Sequence, residues 1–284
     1  MTFYLGCAVW SYDGWLGNFY PPKTPKKAFL NLYSQRFLTV EGNTTFYAVP
    51  SEANIQRWRE ETTSAFKFCL KFPKEITHQG QLMPYISDAL TFIKRVQQLE
   101  DKLGLLFLQL PPNYSPHYQD DLQQFLKGLK QTNIALAVEV RHLDWFRVPY
   151  QNNFNNLLRD LNITRVILDT RPVYRSPDDP QINSPRKKPD VPVNFTLTNN
   201  HAFVRFISHP NLTLNELYLA EWTQKVQQWL AQNITVYFFV HCPIEDHSPF
   251  TARHFYHKLQ AIGADVPTLP WDALAEAPQQ LSLF

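Results

Sequence analysis

Short runs of β-branched, aromatic and aliphatic residues recur along the chain, at 3–10, 39–46, 66–72, 103–110, 134–140, 165–170, 202–207 and 235–240. Most are near-continuously apolar rather than alternating, which predicts a parallel sheet covered on its outer face. Helical periods fill the intervals. Ile86, Leu90, Ile93 and Val96 recur every three or four positions, so they form one apolar stripe. Pro25 is placed to open one helix, and Ser51, followed by Glu52, to cap another. Further helices are predicted over 214–230 and 250–262. Strand and helix alternate throughout the 284 residues, which predicts an α/β chain folded as a single (β/α)8 TIM barrel over residues 1–263. No Gly-x-Gly-x-x-Gly or P-loop follows a strand, which weighs against an open nucleotide-binding sheet.

Two segments break the rhythm. Residues 173–200 contain Pro177, Pro180, Pro185, Pro189 and Pro192 with the basic run Arg186-Lys187-Lys188. So long a connection is more often a lid or binding loop than idle linker, although a solvated wrap remains open. Residues 264–284 read as a proline-containing C-terminal tail.

Composition narrows the picture. A hydrophobic fraction of 44% suffices for a large core, and 27 Lys plus Arg against 25 Asp plus Glu leaves a net charge of only +2. Any nucleic-acid contact must therefore come from a local patch. Cys7, Cys69 and Cys242 lie in apolar runs at spacings that fit no Cys-x-x-Cys site, so they read as buried thiols. Reduced thiols, no recognisable leader and no apolar run of about 20 residues predict a cytoplasmic protein without a membrane span.

In such barrels, chemistry sits where strands run out into the following loops. The first strand ends at Trp10 and Tyr12, and the second carries Glu41, Asn43 and Thr45 on one face. The third ends at Lys71, the fourth at Gln109 and the fifth at Glu139, Arg141 and His142. The sixth supplies Asp169 and Arg171, the seventh Arg205 and the eighth His241. Glu139, Glu41 and Asp169 are candidate general bases, with His142 and His241 as acids or bases. Arg141, Arg205, Lys71 and Arg171 would hold a phosphate or carboxylate, with Asn43, Gln109, Trp10 and Tyr12 completing the binding surface. The alternative is a buried ion-pair network that only braces the fold. A divalent metal finds no supporting spacing and is opposed by the neighbouring cations, so cofactors stay unassigned.

Val40-Glu41-Gly42-Asn43-Thr44-Thr45-Phe46-Tyr47, Lys71-Phe72-Pro73, Gln109-Leu110-Pro111, Val138-Glu139-Val140-Arg141-His142 and Asp169-Thr170-Arg171-Pro172 occur in order along the chain. Together they resemble the YecE-like family, a domain of unknown function. The resemblance implies a TIM-barrel fold and no established activity. Where that family has a pair of Asn at the end of the eighth strand, this chain has His241 and Cys242. The metal ligands of the endonuclease IV type, to which such barrels are likened, do not map onto it.

The last residues, Gln280-Leu281-Ser282-Leu283-Phe284, resemble the peptide by which bacterial proteins dock on the DNA polymerase sliding clamp. Gln280 would hydrogen-bond while Leu281, Leu283 and Phe284 fill an apolar cleft. The leading expectation is thus an enzyme, such as a hydrolase, or a binding protein for a phosphate-bearing substrate, DNA and nucleotides included, brought to the clamp by its tail. A metabolic enzyme for a small anion and a non-catalytic adaptor are the alternatives.

Overall fold

The protein is described here by a computed structural model covering residues 3–184 and 187–274. Each apolar run becomes a strand: β1 Phe3–Cys7, β2 Thr39–Gly42, β3 Lys67–Leu70, β4 Leu106–Gln109, β5 Leu136–Glu139, β6 Thr164–Asp169, β7 His201–Ile207 and β8 Thr235–His241. The principal helices between them are α1 Phe29–Ser34, α2 Glu52–Glu61, α3 Lys74–Thr77, α4 Ile86–Val96, α5 Gln119–Lys130, α6 Tyr150–Asp160, α7 Arg171–Tyr174, α8 Glu216–Ala231 and α9 Ser248–Ala261. Ser51 caps α2 as its residue type predicts, its hydroxyl accepting from Asn54 N at 3.2 Å.

The expected closed (β/α)8 TIM barrel is corrected by the strand pairing. All ladders are parallel, but they form a curled six-stranded sheet, β1-β8-β7-β6-β5-β4, and a separate two-stranded sheet, β2-β3. Among the described residues, β3 and β4 are joined by isolated bridges, Phe68 to Leu103 and Lys71 to Phe107, rather than by a ladder. Between β1 and β2 a side chain stands in for the ladder. Tyr33 Oη accepts from Cys7 N at 2.6 Å and donates to Thr39 O at 3.2 Å. Gly6 makes the close approach feasible, since a Cβ there would lie 1.9 Å from Thr39 O.

The second strand is also shorter than expected. It stops at Gly42, and Asn43–Phe46 turn as a 3-10 helix, so Glu41, Asn43 and Thr45 do not share a strand face. Thr45 instead donates to Lys71 O at 2.6 Å and ties this turn to the end of β3.

Side-chain alternation divides the strands into two faces. Tyr4, Cys69, Phe107, Ala137, Val166, Phe203, Tyr237 and Phe239 pack with one another on the concave face. The opposite faces meet the helices in a larger core, where Phe238 stacks on Phe255 of α9 at 4.3 Å. Cys7, Cys69 and Cys242 are all buried free thiols. Beyond α9, Trp271 packs edge-on against Phe19 and Asp272 pairs with Arg253 at 2.6 Å. Residues 280–284, with the proposed docking peptide, lie outside the described residues. Among the described residues no helix is long and apolar enough to cross a membrane.

Candidate functional site

Two residues beyond the apolar positions of the concave face, the same parity turns polar. Cys69 is followed by Lys71, Phe107 by Gln109, Ala137 by Glu139 and Arg141, Phe203 by Arg205, and Phe239 by His241. A strand repeats its direction every second residue, so these side chains rise in a second layer above the apolar one. That layer lies at the C-terminal rim, beneath a cavity of about 600 Å³.

Arg205 organises it. Its Nε and Nη2 each donate at 2.7 Å to Glu41, while Nη1 donates to Glu139 at 2.5 Å. Glu41 also meets His241 Nε2 at 3.0 Å and Asn43 Nδ2 at 2.8 Å. Glu139 accepts a further bond from Arg141 Nε at 2.7 Å. Both carboxylates and Arg205 are at most 1% exposed.

Burial alone would raise Glu139, but Arg205 and then Arg141 hold it down to about 2. Glu41 is likewise held well below the ordinary range by Arg205 and His241 against the cost of burial. Burial lowers His241 to about 4, despite Glu41 beside it, so its imidazole is neutral at pH 7.

The cations facing the cavity are less completely matched. Lys71 Nζ donates to the neutral amide oxygen of Gln109 at 2.6 Å and sits 3.4 Å from the centroid of the Phe46 ring. Burial, then Arg205 and Arg141, lower it to about 6. Arg141 spends only Nε on Glu139, and its terminal nitrogens make no hydrogen bond among the described residues. Lys188 enters from the long connection; its carbonyl accepts from the Tyr174 hydroxyl while its Nζ has no partner among the described residues. Burial lowers Lys188 to about 8. The acid of the lining, Glu245, is raised to about 8 by burial, and its Oε1 has no partner among the described residues. Among the described residues no cluster of three or more His, Cys, Asp or Glu could hold a metal ion.

The cavity therefore gathers Lys71, Gln109, Arg141, Arg205, His241 and Asn43 from the sequence-derived set, with Glu41 and Glu139 bonded beneath. The remaining candidates lie elsewhere. Asp169 projects from the other face of β6, where it accepts from Arg171 Nε at 2.9 Å and from Trp222 Nε1 of α8 at 2.8 Å. Parity explains this placement, because Val166 and Leu168 take the opposite direction on that strand. Arg171 bridges Asp169 and Glu221. Trp10 packs edge-on against Trp58 and Phe68, and Tyr12 donates to Asp246 at 2.7 Å. His142 caps the next turn, accepting from Asp144 N at 3.2 Å.

Residues that periodicity did not mark also line the cavity, notably Phe46, Lys74, His78, Lys188 and Glu245. Lys74 opens the short helix α3, and the others sit in turns or loops; none lies in a strand. The available signal was proximity in sequence to Lys71, Asn43 or His241, or membership of the basic run.

Residues 4–274 match the family described as "Protein of unknown function DUF72". The chain is 36% identical over 287 residues to UPF0759 protein YecE of Escherichia coli K12, covering 99% of each. It is 30% identical over 155 residues to UPF0759 protein YunF of Bacillus subtilis 168, covering 52% of this chain and 53% of that one. A crystal structure of a DUF72 family protein from Enterococcus faecalis V583 superposes with a TM-score of 0.67 at 18% identity, covering 94% of this chain and 96% of that one. At that identity the likeness speaks for the fold.

Proposed function

The chain belongs to the DUF72 family of proteins of unknown function, and on that premise we propose that its rim cavity is the active site of an enzyme for a small phosphate- or carboxylate-bearing molecule. One observation carries this reading. The terminal nitrogens of Arg141, Lys71 Nζ and Lys188 Nζ face one cavity without a carboxylate partner among the described residues. An arginine whose fork is open and whose Nε is braced by a buried glutamate is oriented for an incoming oxyanion. The cavity volume of about 600 Å³ suits a small molecule, mononucleotides included, better than a duplex.

A brace built only for stability would pair its charges and close. Here Glu41 and Glu139 neutralise Arg205 from below, which leaves the upper donors available. The test is calorimetric binding of inorganic phosphate to the full chain at increasing ionic strength. A saturable site weakened in Lys188→Gln, with modest salt dependence, supports the proposal. A steep loss with salt, together with tight binding of oligonucleotides, favours nucleic acid instead.

The proposal extends to the C-terminal peptide. Gln280, Leu281, Leu283 and Phe284 would deliver the enzyme to the bacterial sliding clamp. A chain ending at Gln279 should then lose clamp binding, and equal affinity of the two chains refutes it.

A further inference from the structure

We propose that Lys71 is the nucleophile of this site and that its ligand is an anionic carbonyl compound, an oxo acid or a phosphorylated aldehyde or ketone, held on Nζ as an iminium. The inference rests on the anion-site reading above and names the chemistry at its centre.

Three features of the placement support it. First, Lys71 is fixed where a reacting group must be. It follows β3 at the rim, its carbonyl is held by Thr45 Oγ1 at 2.6 Å, and its Nζ reaches the cavity although the residue is 5% exposed. Second, the amine has no counter-ion in hydrogen-bond contact among the described residues. The carboxylates of Glu41 and Glu139 are taken up by Arg205, Arg141, His241 and Asn43, and the partner offered to Lys71 is the neutral Gln109. Third, its charged surroundings on balance oppose protonation. Burial acts first, then Arg205 from β7 and Arg141 beyond β5, against the weaker pull of Glu139 and Glu41. The Phe46 ring centroid lies 3.4 Å from Nζ, and burial with the two arginines lowers the amine to about 6, largely neutral at pH 7. Burial beside other cations is the setting that turns a lysine into a nucleophile.

The step balances within the cavity. The neutral amine adds to the carbonyl carbon, and the carbonyl oxygen leaves as water. That oxygen takes one proton from the amine and one from the Glu245 carboxyl, which burial keeps protonated to about pH 8. The products are a protonated imine, a carboxylate and water. Arg141 and Lys188 hold the phosphate or carboxylate of the same ligand.

The experiment is reductive trapping of the full chain with glyoxylate, and separately with pyridoxal 5′-phosphate, using borohydride and peptide mapping. At pH 7 the adduct should form at Lys71 about tenfold or more faster than at the neighbouring Lys74, because the Lys71 amine is largely unprotonated there. The rate should reach half its maximum near pH 6, and inorganic phosphate should slow it. Lys71→Arg should abolish that adduct. Labelling at Lys71 no faster than at Lys74, in a protein that binds phosphate, overturns the nucleophile and leaves the anion site standing. Fast labelling at Lys71 that phosphate does not slow, in a protein that binds no phosphate, overturns the anionic ligand class instead.

Discussion

Arg205 and Glu41, 164 positions apart in sequence, meet through two parallel 2.7 Å hydrogen bonds, and neither side chain is more than 1% exposed. This fork–fork contact joins β7 to the two-stranded sheet, with which it shares no ladder. The third donor of Arg205 reaches Glu139 on β5. One guanidinium thus links strands of both sheets at the rim, where backbone pairing is interrupted.

Replacing that guanidinium should be severe. Arg205→Met strips Glu41 of its bidentate partner and Glu139 of one of two arginines, and uncompensated buried charge costs about 3–5 kcal/mol. Urea denaturation should register a loss of that order, and Arg205→Lys should recover only part of it because an ammonium cannot reproduce the fork. A loss below about 1 kcal/mol would mean that the network does not hold the rim together.

Acid should unfold the protein in two overlapping stages. His241 is depressed from 6.5 to about 4 in the fold, so the unfolded chain binds more protons between those values and stability falls as pH drops through them. Glu139, depressed from 4.5 to about 2, adds its loss over that lower window, and Glu41 acts in the same direction. His241→Asn should remove the upper stage and leave the lower one, as read by denaturation at a series of pH values.

Lys71 should carry a stability cost that shrinks with alkalinity. Its amine sits near 6 in the fold against 10.5 when unfolded, so the folded state holds fewer protons in that range and gains stability as pH rises. The difference in unfolding free energy between Lys71→Met and the parent should therefore favour the variant most near pH 6 and decline above it. A pH-independent difference would contradict the depressed amine.

Tyr33→Phe should destabilise the chain by about 1–3 kcal/mol, the cost of leaving buried groups unsatisfied. The hydroxyl serves Cys7 N and Thr39 O at once, where β1 and β2 lack a ladder. Chemical denaturation checks the loss, and a neutral result would show that another group takes over both bonds.

Much of this was legible in the sequence, and the failures have physical causes. Apolar runs located all the strands, and polar residues two positions beyond them, such as Lys71, Gln109 and Arg205, reached the cavity as expected. Asp169 did not, because its parity on β6 sends it towards Trp222; counting from Val166 would have said so. Ring closure was overread. Whether neighbouring strands pair depends on details such as the Tyr33 hydroxyl standing between β1 and β2, which no periodicity records. Glu245 and Phe46 escaped as site residues because turns carry no repeating pattern from which direction can be inferred, and Lys188 was marked only through the basic run of the long connection.

The most direct measurement is phosphate titration of the full chain and of Arg141→Gln at low ionic strength, followed by calorimetry. Arg141 presents to the cavity terminal nitrogens that are unpaired among the described residues while Glu139 keeps Arg205, so the variant should fold and lose about tenfold or more in affinity, the weight of a charge-assisted contact. Equal phosphate affinity in the two folded proteins, or no binding by either, would contradict an anion site at this rim.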